Sequence, residues 1–512
     1  MGTARVLIVD DNQQTCQLLS RLLTTGGFAV FVVTSGETPI VERAIAAAWQ
    51  CRPHVIIIDL RLQTDDYNGL DLLHKVNSAH RILYSAHLTP SIIREVNHLL
   101  YDFIEKSDAP QVLRNGVLRA AAEKSAAVST VQIAWHSATD QATLTRTMTE
   151  PTLPPPPVDL LDDLVVQLYG ATRQVRLEPL QRTQSAPSGA MRTQSAVFLA
   201  QSDDLQPTVL KLARRNQIER EAENYQRYVQ QRRHSRFATQ LLQTTKFWDC
   251  GGVVYSFMGT GNETLPTFTT FYHQQPSAES ILRPLQFFFG EVWRANYSSR
   301  QPLPESTLLE AYEPVFKLLE HERTINDFFD QMVWPVGLAR PYIKPLTWAI
   351  HHSNRLEMKD VTQAVTHGDL HGDNLFVDEE RAWVIDFERT GPGHALRDFA
   401  ELEVDIVTRL VPQEGIDDDA FLAFLGALYP FPSNGLELTD QTMADAQPDL
   451  QKAYEVIQGL RRLAHDLVAY GDEEYLWSVL LDALFVVSIQ AAQPWQRRRA
   501  LLVSTVICNV LR

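Results

Sequence analysis

Up to about Lys124 the chain alternates short apolar runs with amphipathic stretches. The runs are VLIVD, FAVFVV, HVIIID, RILYSA and YDFIEK, and segments such as QTCQLLSRLLTT lie between them. Five strands with interleaved helices predict a doubly wound parallel sheet over residues 1–124. Strands covered on both faces read as continuous Val/Ile/Leu runs rather than alternating ones, and these do. Residues 125–158 change character to Ser, Thr, Ala and Pro and predict a linker, stiffened by the tetraproline Pro154–Pro157. A docking site for an aromatic-lined module is the less favoured reading of that tetraproline.

Further on, SAVFLAQ, TVLKLA and GGVVYSFMG have the pattern of strands, and QIEREAENYQRYVQQ that of a helix. From about Leu282 to Arg512 the periodicity is mostly helical. Inside it HGDLHGDNLFVDEERAWVIDF stands out as a loop followed by a β-hairpin. The pattern predicts a small α+β lobe over 159–262 and a large helical lobe over 263–512. No repeat of fixed period is visible.

Composition narrows the classes. At about 100–200 residues per domain, 512 residues predict roughly three structural units. With 46 basic against 62 acidic residues the formal charge is −16, which argues against a general attraction to nucleic acid or anionic lipid. MGTARVLIVDD lacks the basic start and apolar core of a signal peptide, and no apolar run reaches the roughly 18 residues of a membrane span. A cytoplasmic protein with neither a membrane nor a nucleic-acid partner is the expectation. Cys16, Cys51, Cys250 and Cys508 are scattered without a Cys-x-x-Cys, which fits buried thiols better than zinc or disulfides. The Arg497–Arg499 run is read as a solvated helix start.

In an open parallel sheet the reactive groups gather where the strands end. Asp10 and Asp11 end the first predicted strand, Asp59 the third and Ser85 the fourth, and Lys106 follows the fifth. Three carboxylates brought together would repel unless they share a hard divalent cation, and Mg2+ prefers such an oxygen site. This set resembles the receiver domain of bacterial two-component response regulators, over essentially all of residues 4–124. The resemblance implies a flavodoxin-like fold, Asp59 as phosphoacceptor, Asp10 and Asp11 with Asp59 and the Arg61 carbonyl as the Mg2+ site, and Ser85, Lys106 and Phe103 as switch residues. It also implies a sensor histidine kinase or phosphotransfer protein as partner. One departure is visible: the family has a cis proline after its lysine, whereas Ser107 stands here. A non-proline cis bond costs about 2.5–4 kcal/mol, so a trans or differently shaped lysine loop is expected.

The string HGDLHGDN offers four potential ligands, His367, Asp369, His371 and Asp373. Zinc ligands on a helix recur at i and i+4, and Gly368 and Gly372 disfavour a helix, so a tight loop is the better reading. Phosphoryl transfer needs a carboxylate for the acceptor hydroxyl and an Asn and an Asp to hold Mg2+ on the nucleotide. In kinase catalytic loops four residues separate base from Asn. That spacing from Asp369 reaches Asn374, whereas from Asp373 it reaches Asp378. It therefore selects Asp369 as base and Asn374 as metal ligand, with Asp386 of WVIDFE as the second. With these residues the region resembles the aminoglycoside phosphotransferase and choline kinase group of protein-kinase-like enzymes, specifically over about Thr366–Phe399. His367 and Asp398 are then expected to brace the loop, and His371 and Asp373 to shape it.

A kinase-like reading requires a strand lysine and a helix glutamate upstream. TVLKLA supplies Lys211. On QIEREAENYQRYV the positions Ile218, Ala222, Tyr225 and Val229 define the buried face, and Glu221 lies nearer to it than Glu219 or Glu223. Ser188 and Gly189, in SAPSGAMRTQSAVFLA, are the expected nucleotide loop, and Val253–Gly259 the expected hinge strand. The expected whole is a receiver controlling an ATP- and Mg2+-dependent phosphotransferase that acts on an unidentified hydroxyl acceptor. A non-catalytic nucleotide- or partner-binding adaptor is the alternative, and a DNA-binding response regulator is disfavoured because no basic helix-turn-helix segment follows the linker.

Overall fold

The computed structural model describes residues 3–62, 68–86, 89–149, 152–180, 195–203, 206–230, 239–256, 265–336, 338, 342–430 and 446–512. The chain divides into two compact units. The first comprises Met1–Leu180, Gln194–Glu219 and Leu241–Phe257, and the second Gln181–Thr193, Arg220–Gln240 and Met258–Arg512.

The first unit begins with β1 (Arg5–Val9), α1 (Gln13–Thr25), β2 (Ala29–Val33), α2 (Ile40–Cys51), β3 (Val55–Ile58), α3 (Gly69–Lys75), β4 (His80–Ser85), α4 (Pro90–Val96), β5 (Asp102–Glu105) and α5 (Pro110–Lys124). The strands form one parallel sheet in the order β2-β1-β3-β4-β5. This is the doubly wound parallel sheet that the apolar runs predict, in the flavodoxin-like order that the receiver resemblance implies. Side chains of a strand point alternately to its two faces, so each run feeds two cores. Val6, Ile8, Val55 and Ile57 pack with Leu19 and Leu23 of α1 and Leu113 and Val117 of α5. Leu7, Val9, Ile56 and Ile58 pack with Ala44 and Ala48 of α2 and Leu72 of α3. The two edge strands are the exception, with Phe31 and Val32 of β2 and Phe103 of β5 exposed.

The second core does not stop at the receiver-like sheet. It continues into Leu160, Leu164, Leu177, Phe198, Leu210 and Trp248. These belong to an antiparallel-dominated sheet of β6 (Gln132–Trp135), β7 (Gln174–Pro179), β8 (Ala196–Ser202), β9 (Thr208–Arg214), β10 (Leu241–Phe247) and β11 (Cys250–Ser256), in the order β10-β11-β9-β8-β7-β6. The segment 125–158, expected to be a spacer, therefore carries structure. β6 pairs in parallel with β7, and α6 (Gln141–Met148) follows it with Asp140 as N-cap. Val131 and Met148 enter the common core. The prolines also have a defined role, since the carbonyls of Pro154 and Pro155 accept from the Arg52 guanidinium at 2.8 and 3.2 Å.

Polar contacts fix the same seam. Arg52, in the left-handed region (φ 43°) after α2, is fully buried and pairs with Asp249. Arg5 reaches Asp159 and, with His54, Asp163 at the start of α7 (Leu160–Tyr169). Trp248 Nε1 donates to the Pro53 carbonyl at 3.1 Å and its ring meets Trp49 edge-on. All these receiver-side groups lie at the N-terminal ends of the strands. Asp10 and Asp59 lie at the opposite, C-terminal ends.

The second unit is mainly helical. It includes a small sheet of β12 (Gln301–Pro302), β13 (Thr362–Thr366) and β16 (Gly391–His394), and the hairpin of β14 (Leu375–Val377) and β15 (Ala382–Val384). Two long helices, Asp472–Ser488 and Pro494–Val510, pack on each other and are buried nearly all round. The Arg497–Arg499 run is not a solvated helix start. Arg499 is buried and donates to the Val411 and Pro412 carbonyls, and Arg498 pairs with Asp418. A buried arginine needs such acceptors because nothing else replaces its hydration. Among the described residues no helix is long and apolar enough to cross a membrane.

Candidate functional site

In the first unit β1 and β3 end side by side and deliver their terminal carboxylates to one place. One oxygen each from Asp10, Asp11 and Asp59 lies within 4.8 Å of the others. Asp10 and Asp59 are buried, at 2% and 7% exposure. Lys106 Nζ stands 2.7 Å from Asp10 Oδ2 and 2.6 Å from Asp59 Oδ2. Burial works against its charge, but the hydrogen bonds to the two carboxylates outweigh it and hold the Lys106 pKa above the ordinary lysine value. Burial raises the Asp10 pKa, although Lys106 opposes the shift.

Serine after the lysine thus does not prevent Lys106 from reaching both carboxylates. Asp59 Oδ1 is buried and has no hydrogen-bond partner among the described residues. An orphaned carboxylate oxygen beside two further carboxylates is a donor set that fits a hard oxygen-seeking cation such as Mg2+. Ser85 is fully buried at the end of β4, and Phe103 on β5 is 42% exposed.

In the second unit the loop between β13 and β14 is built on the helix Arg397–Asp405. Asp398, Glu401 and Asp405 recur at i, i+3 and i+7, which places them along one face of that helix. Each takes loop amides. Asp398 accepts from the His367 and Gly368 N–H groups at 2.8 Å each, Glu401 from Leu370 N–H at 2.7 Å, and Asp405 from Gly372 N–H at 2.9 Å. Tyr297 OH adds a third bond to Asp398 at 2.8 Å. The residues of the loop itself thus hang on a ladder of three carboxylates. Only Asp398 of that ladder was expected.

The remaining loop contacts follow from this suspension. His367, fully buried, bonds through Nε2 to the Ile385 carbonyl at 3.0 Å, and burial lowers its pKa. Gly368 has φ +79°, and a Cβ there would lie 2.5 Å from the Arg389 carbonyl oxygen. A Cβ on Gly372 would lie 2.6 Å from Thr269 Oγ1. Both glycines of the repeated His-Gly-Asp are therefore steric requirements. The two aspartates differ: Asp373 is held by Arg409 at 2.8 Å, and Arg409 also grips Asp405. Asp369 stands at the edge of a cavity of about 420 Å3, bonded at 3.2 Å by Arg389.

Asn374 donates from Nδ2 to the Asp369 carbonyl at 2.9 Å, which occupies its nitrogen end and leaves the oxygen end as the one suited to a cation. Asp386 is 4% exposed and has φ 73°, a conformation uncommon for a residue with a Cβ and typical of sites where surrounding structure imposes it. Lys211 on β9 and Glu221 on α8 (Arg215–Asn224) are buried, at 1% and 0% exposure, as are Ile218, Tyr225 and Val229. Ser188 and Gly189 lie outside the described residues, as do Phe257–Gly259 of the expected hinge. Arg397, Glu401, Asp405, Arg409 and Arg389 were not anticipated. The spacing of acidic residues in RDFAELEVD was the signal available for the ladder.

Residues 6–117 match the response regulator receiver domain family. Similar solved structures include a signal receiver domain from Vibrio parahaemolyticus (25% identity, covering 23% of this chain and 91% of that one, TM-score 0.21). A CheY-like receiver from Methanospirillum hungatei matches at 19% identity (24% and 96% covered, TM-score 0.21). Vibrio cholerae CheY4 matches at 21% (23% and 99%, TM-score 0.21). The N-terminal sheet, with its acidic cluster, is a response regulator receiver domain, and such a domain implies two-component signalling and a phosphodonor partner such as a histidine kinase. Residues 175–319 and 345–491, more than half of the chain, match a second family, and the chain belongs to the Ternary complex associated domain 9 family. No curated protein matches it.

Proposed function

We propose that this chain is a two-component signalling protein whose receiver accepts a phosphoryl group on Asp59 and thereby controls an ATP-dependent, protein-kinase-like phosphotransferase. The observation that carries the reading is the suspension of Asp369. Its loop is fixed through four main-chain amides by Asp398, Glu401 and Asp405, and its carboxylate borders a cavity large enough for a small acceptor. Catalysis of phosphoryl transfer is mostly positioning and electrostatics, so a rigidly held carboxylate next to an acceptor cavity is what the reaction asks for. In this reading Asp369 orients and deprotonates the acceptor hydroxyl. Asn374 and Asp386 are the residues that would hold Mg2+ on the nucleotide.

The test is ATP turnover by the full chain with Mg2+, with and without acetyl phosphate, in the native protein and in Asp369→Asn. Loss of turnover by about 10²-fold or more in the variant supports the reading. Equal turnover in both sinks it.

A second reading, a nucleotide- or partner-binding adaptor without turnover, draws on two observations. Arg389 occupies the Asp369 carboxylate, and the family's name associates its members with a ternary complex. An Asp369→Asn chain that keeps full signalling output would favour this second reading.

A further inference from the structure

Arg389, directly after the IDFE string, is given no role by the sequence, yet it is the residue best placed to choose what enters the cavity at Asp369. Its guanidinium is held from two sides. Nη1 donates to Asp369 Oδ1 at 3.2 Å, and the plane lies over the Phe485 ring, 5.2 Å from its centroid. Among the described residues Asp369 is its one hydrogen-bond acceptor, and its side chain keeps 28% exposure. The other donors of the fork are left for the cavity of about 420 Å3 that Arg389 lines together with His321, Ser488 and Gln490.

Of the other carboxylates whose field reaches Arg389, Glu388 is paired with Arg220 and Glu401 with Arg397, and Asp386 lies outside the cavity lining. Asp369 is the one carboxylate lining the cavity among the described residues. A guanidinium laid on an aromatic ring is a pre-ordered planar fork, and its unused N–H groups match two oxygens of a carboxylate or phosphate. An ammonium in the same space would face a fixed positive charge.

We infer that the cavity selects an acceptor carrying an anionic group, a carboxylate or a phosphate, held by Arg389 beside the hydroxyl to be modified. The hydroxyl half of this statement rests on the phosphotransferase reading; anion recognition by Arg389 does not. In the transfer the acceptor oxygen bonds to the γ-phosphorus of ATP as the bond to the β-phosphate oxygen breaks. ADP leaves and the hydroxyl proton passes to Asp369. Drawing Arg389 onto the acceptor's anion withdraws its hydrogen bond from Asp369 Oδ1, so the substrate that fills the cavity also loosens the arginine's hold on the base.

The test is calorimetric titration of the full chain, without ATP or Mg2+, using glycerol 3-phosphate, glycerate, glycerol and ethanolamine. At least one of the two anions is expected to bind, and which of them binds separates a phosphate from a carboxylate ligand. Its affinity should fall tenfold or more in Arg389→Gln, fall by less in Arg389→Lys, and persist in Asp369→Asn. Binding of neither anion, equal binding by the native chain and Arg389→Gln, or preferential binding of ethanolamine overturns the inference. Anion binding through Arg389 without ATP turnover on any bound probe would instead count against the phosphotransferase reading alone. Turnover on ethanolamine but on neither anion would count against this inference alone.

Discussion

Arg52 and Asp249, 197 positions apart in the chain, form a two-point ion pair with both nitrogen–oxygen distances at 2.7 Å and neither side chain more than 4% exposed. Removing one partner leaves a buried charge without compensation. Arg52→Ala should therefore cost about 3–5 kcal/mol, read by denaturant unfolding of the full chain. The double variant Arg52→Met/Asp249→Leu should recover most of that loss, since replacing both partners removes both desolvation penalties. A double variant as unstable as the single one would show that the seam depends on the Arg52 guanidinium's polar bonds, to Asp249 and to the Pro154 and Pro155 carbonyls.

Phosphoryl acceptance by the receiver should require both Asp59 and a divalent cation. Acetyl phosphate with Mg2+ is expected to add one phosphoryl group, detected by intact mass. EDTA or Asp59→Ala should abolish it. Lys106→Ala should still accept the group, because Lys106 contacts Asp59 without being a nucleophile, but should weaken any coupling to output.

The carboxylate ladder makes a graded prediction. Asp398→Ala strands two buried loop amides and the Tyr297 hydroxyl, and should cost about 3 kcal/mol or more. Hydrogen exchange should accelerate at residues 367–372 before it does elsewhere in the second unit. Gly368→Ala should be comparably damaging through backbone strain, because its φ is +79° and the added Cβ meets the Arg389 carbonyl.

One buried and one half-buried group give opposite pH slopes. Burial lifts the Glu401 carboxyl to about 7, with Arg397 opposing. The folded chain binds this proton more tightly than the unfolded chain does. Its contribution therefore favours folding at low pH and declines as pH rises from about 4.5 to about 7. His80 runs the other way: burial, aided by Lys124 and Arg81, lowers it to about 3. Stability from a neutral half-buried imidazole is present above about 6.5 and falls as pH drops toward 3. Unfolding titrations of Glu401→Gln and His80→Gln should each remove their own slope and leave the other.

The receiver was legible because its information is local. Each apolar run is one strand, and the reactive residues sit at run ends, so Asp10, Asp11 and Asp59 group together on the pattern of the sequence alone. The Lys106 loop shows the limit of pattern matching, since Ser107 departs from the family while Lys106 still reaches both carboxylates. Segment 125–158 misled through composition. QIAW is only four residues long, and its strand is defined by parallel pairing with β7, about forty positions on.

Around Asp369 the loop residues were readable from spacing, whereas their supports were only partly so. Asp398, Glu401 and Asp405 share a helical face that a periodicity count could have found. Arg389 belongs to no periodic pattern, and its place at the cavity is decided by Phe485 and Asp369, which fold against it from distant sequence.

The seam between Arg52 and Asp249 also sets a timetable for synthesis. The receiver's five strands are complete once Lys124 has left the ribosome, but the carboxylate that neutralises Arg52 is made 197 residues after it. From Lys124 to Asp249 is a further 125 residues, and at roughly 5–20 residues per second that is an interval of roughly 6–25 s. During it a finished sheet carries a bare guanidinium and an uncovered apolar face. Slow translation or a pause between residues 125 and 249 should therefore leave the nascent chain most dependent on chaperones over that stretch.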